Sequence, residues 1–240
     1  MADKEEEIKR LILRMKKQNN RKNNNAAERA INTLLERGWM DEVKSSADLS
    51  EIDLSGVNLY QVDLSGANLR GAYLQNTYLR GANISGANLR NANLHSANLG
   101  ETVLRGTILR LANLSHAELS LANLSAASLV STNLSQARLN GTNLAWADLT
   151  NADFKEAICS DTIFADVDLS TALNLDTIEH QGPSTIAFDT IQKSLGKIPE
   201  IFLRGCGVPE ILITYLPALM NTAIDFYSCF ISHSHSDKPF

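Results

Sequence analysis

The stretch ANLRNANLHSANLG, residues Ala87–Gly100, states one five-residue phrase almost three times over. The phrase is a small residue, Asn, Leu, and two looser positions. Stepping by five from Leu49 to Leu169 passes 25 positions, of which 21 are Leu; Ile84, Phe154, Cys159 and Phe164 are the exceptions. Two residues before each of these, 15 are Ala and six are Thr, and the residue between is Asn or Asp in 16. On an α-helix a step of five advances about 500°, so these leucines would spiral round the axis and form no single buried stripe. In extended chain, residues two apart share a face, which turns each Leu and its preceding small residue inward together. The remaining positions must then turn the chain. Gly fills seven of the last positions, where freedom to take a positive φ suits a turn. Short extended sides joined by turns make a solenoid, with Leu and Ala or Thr inside. All five prolines lie outside the array, as expected of backbone that donates hydrogen bonds between coils.

Tandem A(N/D)LxG units of this kind resemble the pentapeptide-repeat family. The resemblance implies an all-β solenoid over residues 47–172, a right-handed quadrilateral β-helix with four units per coil, capped by short α-helices at both ends. Residues 20 apart would then stack in neighbouring coils, roughly 4.8 Å from one another. That register lines up Arg70, Arg90 and Arg110 as a column on one face: either the candidate docking column for an acidic partner, or Arg stems that cover the rod with their heads in water. It also pairs Glu118 with Arg138, sets Asp148 under Asp168, and brings Phe154 toward Phe164 where large side chains plug the last coils.

A solenoid leaves an apolar end unless something covers it. Residues 25–40 read as an N-terminal capping helix, with Ala27, Ile31, Leu34 and Leu35 at helical spacing and Gly38 as a stop. Residues 1–24 read as a charged amphipathic helix (Ile8, Leu11, Ile12, Met15) and an Asn-rich tether. Seven basic residues fall between Lys9 and Lys22. The acidic run directly upstream favours a solvated helix face over a nucleic-acid site. Residues 180–224 read as a helical cap and connector of three short helices, with Ser184 capping the first and Pro199 and Pro209 as first helical residues of the others.

That connector resembles the segment that joins pentapeptide repeats to a C-terminal TIR domain in bacterial proteins. Residues 226–240, FYSCFISHSHSDKPF, resemble the opening strand and first loop of such a domain, whose usual form is (F/Y)DxFISYSxxD. Phe230, Ile231, Ser232, Ser234 and Asp237 match it; His233 replaces the Tyr and Ser228 the early Asp. The resemblance implies a truncated start, lacking the later helix whose glutamate cleaves NAD in catalytic members, and a strand end open to association.

The composition excludes much else. A formal net charge of −5 argues against general nucleic-acid binding. Cys159, Cys206 and Cys229 are too few and scattered for a disulfide framework or paired-cysteine zinc site. There is no apolar leader and no run of bilayer length, so a soluble cytoplasmic setting is expected. No phosphate-cradling loop or HExxH occurs. His180, His233 and His235 complete no metal set. Cys206 has no His placed beside it as a nucleophile requires. The expected function is a non-catalytic protein-interaction scaffold without cofactor, related to signalling proteins that join pentapeptide repeats to a TIR domain. The alternative is a DNA mimic acting on type II topoisomerases, as quinolone-resistance members of the family do. The array holds 12 acidic and seven basic residues, a thin surplus for a duplex analogue.

Overall fold

The structure is a computed structural model that describes residues 2–16, 25–46 and 48–218. From Asp53 onward, parallel bridges join residues 20 apart, the first being Asp53 to Tyr73, Asn58 to Tyr78, Asp63 to Asn83 and Asn68 to Asn88. Four such bridges, five residues apart, fall in each 20-residue period. The bridged residue is the Asn/Asp position. Its N–H reaches back one coil and the N–H of the next residue reaches forward, as in Tyr73 N–H to Ile52 O at 2.8 Å and Leu74 N–H to Asn93 O at 2.7 Å.

Each position in the phrase now has a physical task. The central residues are sealed from water, with Leu89, Leu94 and Leu99 all at 0% exposure. Asn or Asp at the bridge accepts the N–H two residues on through Oδ1, as Asn93 does from His95 (3.1 Å) and Asp153 from Lys155 (3.0 Å). This local bond holds the corner and explains the preference for a short side-chain acceptor. Where Thr replaces Ala inside, its buried hydroxyl finds an acceptor on the coil before. Thr77 donates to Leu54 O at 2.9 Å, Thr107 to Ile84 O at 3.0 Å and Thr132 to Leu109 O at 2.7 Å. A buried hydroxyl left without such a partner would be destabilising.

The turn requirement extends beyond glycine. Every last position from Glu51 to Asp166 has a positive φ, between 53° and 71°, although only seven are Gly. None of the others is Val, Ile or Thr, the residues for which left-handed backbone is most strained. The coil-to-coil bonds hold the rest in place, as Asn91 N–H to Arg110 O at 3.0 Å shows.

At the N-terminal end three helices cover the first coil: α1 (Ala2–Lys16), α2 (Asn25–Glu36) and α3 (Met40–Ser46). Ile8, Leu11 and Ile12 of α1, Ala30, Ile31 and Leu34 of α2, and Val43 of α3 join one continuous core with the leucines. Gly38 at φ 64° separates α2 from α3. The expectation of one helix over 25–40 missed α3, whose seven residues carry too little periodicity to be seen. Trp39 sits between Lys4 and Arg37, 5.4 Å and 4.7 Å from its ring centroid, and Glu7 pairs with Arg37 at 2.7 Å.

The C-terminal end differs from the helical connector read over 180–224. Pairing continues past the array: β1 (Ile158–Cys159) pairs with β3 (Glu179–His180), and β2 (Ile163–Phe164) with β4 (Thr185–Ile186), both parallel. Helices α4 (Phe188–Lys193) and α5 (Glu200–Gly205) follow, then helical backbone over 210–218. Ser184 does not cap α4; Ala187 holds that place in extended backbone, because residues 185–186 are drawn into the ladder. Pro199 is the cap of α5 rather than its first residue. Helix α4 closes the rod with side chains. Asp189 Oδ1, Thr190 Oγ1 and Ser194 Oγ accept the N–H groups of Asp166 (3.1 Å), Val167 (3.3 Å) and Leu169 (3.0 Å), donors that have no further coil to meet.

Candidate functional site

The exterior of the rod is set by the bridge position and the two residues after each Leu. On the side carrying Leu69, Leu89 and Leu109, the residue after Leu is Arg70, Arg90 and Arg110, all exposed. Their backbones are locked coil to coil: Gly71 N–H donates to Arg90 O at 2.8 Å and Asn91 N–H to Arg110 O at 3.0 Å. Three guanidinium groups therefore rise from anchors about 4.8 Å apart. Among the described residues none of the three has a carboxylate partner, whereas Arg80 pairs with Glu101 at 2.7 Å and Arg138 with Glu118 at 3.2 Å. The Glu101 carboxylate beside Arg80 holds its guanidinium pKa above the ordinary value.

Charge is distributed along the axis in bands. Asp48, Glu51, Asp53 and Asp63 occupy the first coil without a basic residue. Between residues 68 and 127, five arginines stand against Glu101 and Glu118. Beyond that, six acidic residues face Arg138 and Lys155. Sequence totals conceal this alternation, which appears only once residues are assigned to coils.

A second exterior feature lies one side removed, near the N-terminal cap. Tyr60 and Tyr78 are 58% and 56% exposed. With Glu28 of α2, Gly56, Asn58, Arg80 and Asn98 they line an open groove of about 460 Å³. Periodicity drew attention to the arginines, while the aromatics went unnoticed because Tyr60 falls on a loose position of the phrase and Tyr78 on the Asn/Asp position.

The candidate chemical residues do not assemble. Cys159 is a core residue of the rod, and burial pushes its thiol pKa up to about 12. Cys206 is pushed up to about 12 by burial and by the neighbouring Cys159, so it is a protonated thiol and a poor nucleophile. No group of three His, Cys, Asp or Glu residues able to hold a metal exists among the described residues. His233 and His235, and the TIR-like Phe230, Ile231, Ser232, Ser234 and Asp237, lie outside the described residues. None of the described helices is long and apolar enough to cross a membrane.

His180 is a structural liability with a readable consequence. Its ring packs edge-on to Phe202 at 5.4 Å, and both ring nitrogens are buried without a hydrogen-bond partner. Burial lowers its pKa, so below an ordinary value of about 6.5 the unfolded chain takes up the proton before the folded one does. Stability is whole above that pH and falls as pH drops through it toward the folded pKa. The thermal midpoint should therefore decrease as the pH is lowered through about 6.5 and below, and His180→Leu should remove much of that slope. An unchanged slope in the variant would contradict the assignment.

A family model for pentapeptide repeats matches this chain in eight copies, over residues 47–86, 87–125, 117–155 and 132–170. The chain belongs to the pentapeptide-repeat family. Among solved structures it is similar to the pentapeptide repeat protein Rfr23 from the cyanobacterium Cyanothece 51142, with 27% identity over 55% of this chain and 97% of that one at a TM-score of 0.36. It is also similar to HetL from Nostoc sp. strain PCC 7120, a pentapeptide repeat protein involved in heterocyst differentiation regulation (25% identity, 56% of this chain, 70% of that one, TM-score 0.24). A third is full-length QnrB1, a plasmid-mediated fluoroquinolone resistance protein (16% identity, 57% and 81% coverage, TM-score 0.25). No curated protein matches the chain.

Proposed function

We propose that this pentapeptide-repeat protein is a non-catalytic scaffold that docks an acidic face of a protein partner on the Arg70, Arg90 and Arg110 column. The reading rests on three exposed cations held at fixed spacing with no carboxylate of their own among the described residues. A rigid ladder presents them at little further entropic cost, which favours binding over a mobile surface. The rod itself we take to be the right-handed quadrilateral β-helix of its family, working in the cytoplasm. The likeness of Phe230, Ile231, Ser232, Ser234 and Asp237 to a TIR opening strand supports a signalling context.

The basic middle band weighs against the alternative of duplex mimicry, since a topoisomerase surface built for DNA would meet five arginines where phosphates belong. The deciding experiment is fluorescence anisotropy with a labelled Asp/Glu-rich peptide. Saturable binding that weakens steeply with salt, and that is lost in the Arg70→Ala, Arg90→Ala, Arg110→Ala protein, is the expected result. Equal binding by the triple variant removes the docking column. Inhibition of a type II topoisomerase at micromolar protein would put DNA mimicry in its place.

A further inference from the structure

The groove at the N-terminal end of the rod, separate from the arginine column, has a chemistry of its own. Its walls belong to three successive coils and to α2. Asn58, Tyr78 and Asn98 are bridged to one another in register, and Tyr60 and Arg80 flank them on the neighbouring column. Elsewhere in the array these positions are mostly Asn, Ser or Arg. Here two large amphipathic rings stand more than half exposed on backbone fixed by Tyr78 N–H to Val57 O at 3.0 Å and Leu59 N–H to Tyr78 O at 2.8 Å. Arg80 is held by Glu101 at 2.7 Å, with its stem against Gly100. Tyr and Arg on rigid supports are the residues that dominate binding energy at interfaces.

We propose that this groove binds a proline-rich peptide segment in the polyproline II conformation, running along the rod axis with a basic residue at the Glu28 end. Three features select that ligand. The first is spacing. Asn58 and Asn98 lie two coils apart, about 9.6 Å, and a polyproline II helix presents the same face every three residues, about 9.3 Å. A β-strand repeats a face every ~6.8 Å and an α-helix turns every ~5.4 Å, so neither meets both amides in phase.

The second is hydrogen-bond polarity. The Oδ1 atoms of Asn58 and Asn98 are already occupied by Tyr60 N–H (3.0 Å) and Gly100 N–H (3.2 Å). The groove therefore offers outward donors: two amide Nδ2 groups, two tyrosine hydroxyls and a guanidinium. A polyproline II ligand has unused carbonyls and few N–H groups, which is the complementary set. Tyrosine faces supply the apolar surface on which proline rings dock.

The third is charge. Glu28 lies in the first turn of α2, is exposed, and has no ion-pair partner among the described residues. With Arg80 neutralised by Glu101, the free charge of the groove is negative and suits Lys or Arg on the ligand.

The test is fluorescence anisotropy on the full chain with a labelled ten-residue peptide carrying proline at every third position and arginine at one end, made in both orientations. Saturable binding is expected for one orientation. Tyr78→Ala and Tyr60→Ala should each weaken it roughly tenfold or more. Glu28→Gln should weaken the arginine peptide about threefold while leaving its alanine analogue unaffected. The Arg70→Ala, Arg90→Ala, Arg110→Ala protein should bind as the parent does, which separates this site from the arginine column. No saturation up to about millimolar peptide overturns the proposal. So does equal binding of a peptide with its prolines replaced by alanine. Oligosaccharide binding that Tyr78→Ala abolishes, with no peptide binding, would reassign the groove to glycans.

Discussion

Leu89→Ala should lower the unfolding free energy by about 2–5 kcal/mol, while Leu111→Ala, at the last position of its unit rather than the inward one, should change it by less than about 0.5 kcal/mol. Leu89 is at 0% exposure, inside the ladder and away from both ends, with Leu69 and Leu109 stacked before and after it at 1% and 0%. Its backbone is bonded on both sides, N–H to Ile108 O at 2.8 Å and O to Ala92 N–H at 3.0 Å. The coil cannot collapse into the vacated space without breaking those bonds, so the cavity persists and the cost falls toward the upper part of the range. Leu111 is a corner residue, 54% exposed, and its side chain has little packing to lose. Urea titration of both variants reads the difference as a shift of midpoint at constant slope. Equal midpoints would mean that the inward assignment of the ladder is wrong. In a solenoid, stability is a sum over repeats and their nearest-neighbour interfaces. A lesion at Leu89 therefore also weakens the coupling between the two halves, and a second, earlier transition should appear where the parent shows one.

The rod was legible in the sequence because its physics is local and repeated. The Leu and Ala positions need only one rule, and that rule recurs through the array with few exceptions. The six buried threonines were legible as core residues, but their reason was not. The acceptor for Thr107 is the carbonyl of Ile84, and nothing in a sequence pairs residues 23 apart until the coil length is known. The ends were harder still. Helix α4 caps the last coil through Asp189, Thr190 and Ser194, three polar residues that read as an ordinary helix surface. Ser184 drew attention as a helix cap because of its residue type and the Gly182-Pro183 before it. The unfilled edge at Phe164 claimed residues 185–186 instead, since an unpaired ladder edge is a stronger demand than a helix cap. Among candidate sites, Arg70, Arg90 and Arg110 were visible through periodicity. Tyr60 and Tyr78 were not, because 18 residues separate them and they occupy different positions of the phrase. The coil brings them to one face, and Glu28 of α2 joins them in lining the groove.

Deleting residues 87–106, one complete coil, should leave a folded, cooperatively melting rod, whereas deleting Asn91 alone should abolish it. The coil deletion joins Gly86 to Thr107, so Leu109 moves onto Leu69 in the same phase and on the same side. Every inward residue stays inward, and the loss is limited to one repeat and its interface. Asn91 is a corner with φ 60°. Removing it leaves a four-residue side, and in extended chain a slip of one residue turns each inward side chain outward. The leucines of one half would face water, or the two halves would fold out of register with a break between them. Either outcome exceeds the cost of Leu89→Ala, and far-ultraviolet circular dichroism with a thermal scan would show it as a lost or broken transition. Comparable melts for the two deletions would refute the coil as the unit of stability. The coil deletion carries a functional reading as well. It removes Arg90 and stacks Arg110 directly on Arg70, leaving two cations of three at the same spacing. Binding of the acidic peptide should weaken and its salt dependence should become shallower. The proline-rich peptide should lose affinity too, because Asn98 goes with the deleted coil and Glu118 becomes the residue after Tyr78 in its column. Arg70→Ala, Arg90→Ala, Arg110→Ala, by contrast, should affect the acidic peptide alone. A deletion that spared both ligands would place both sites elsewhere on the rod.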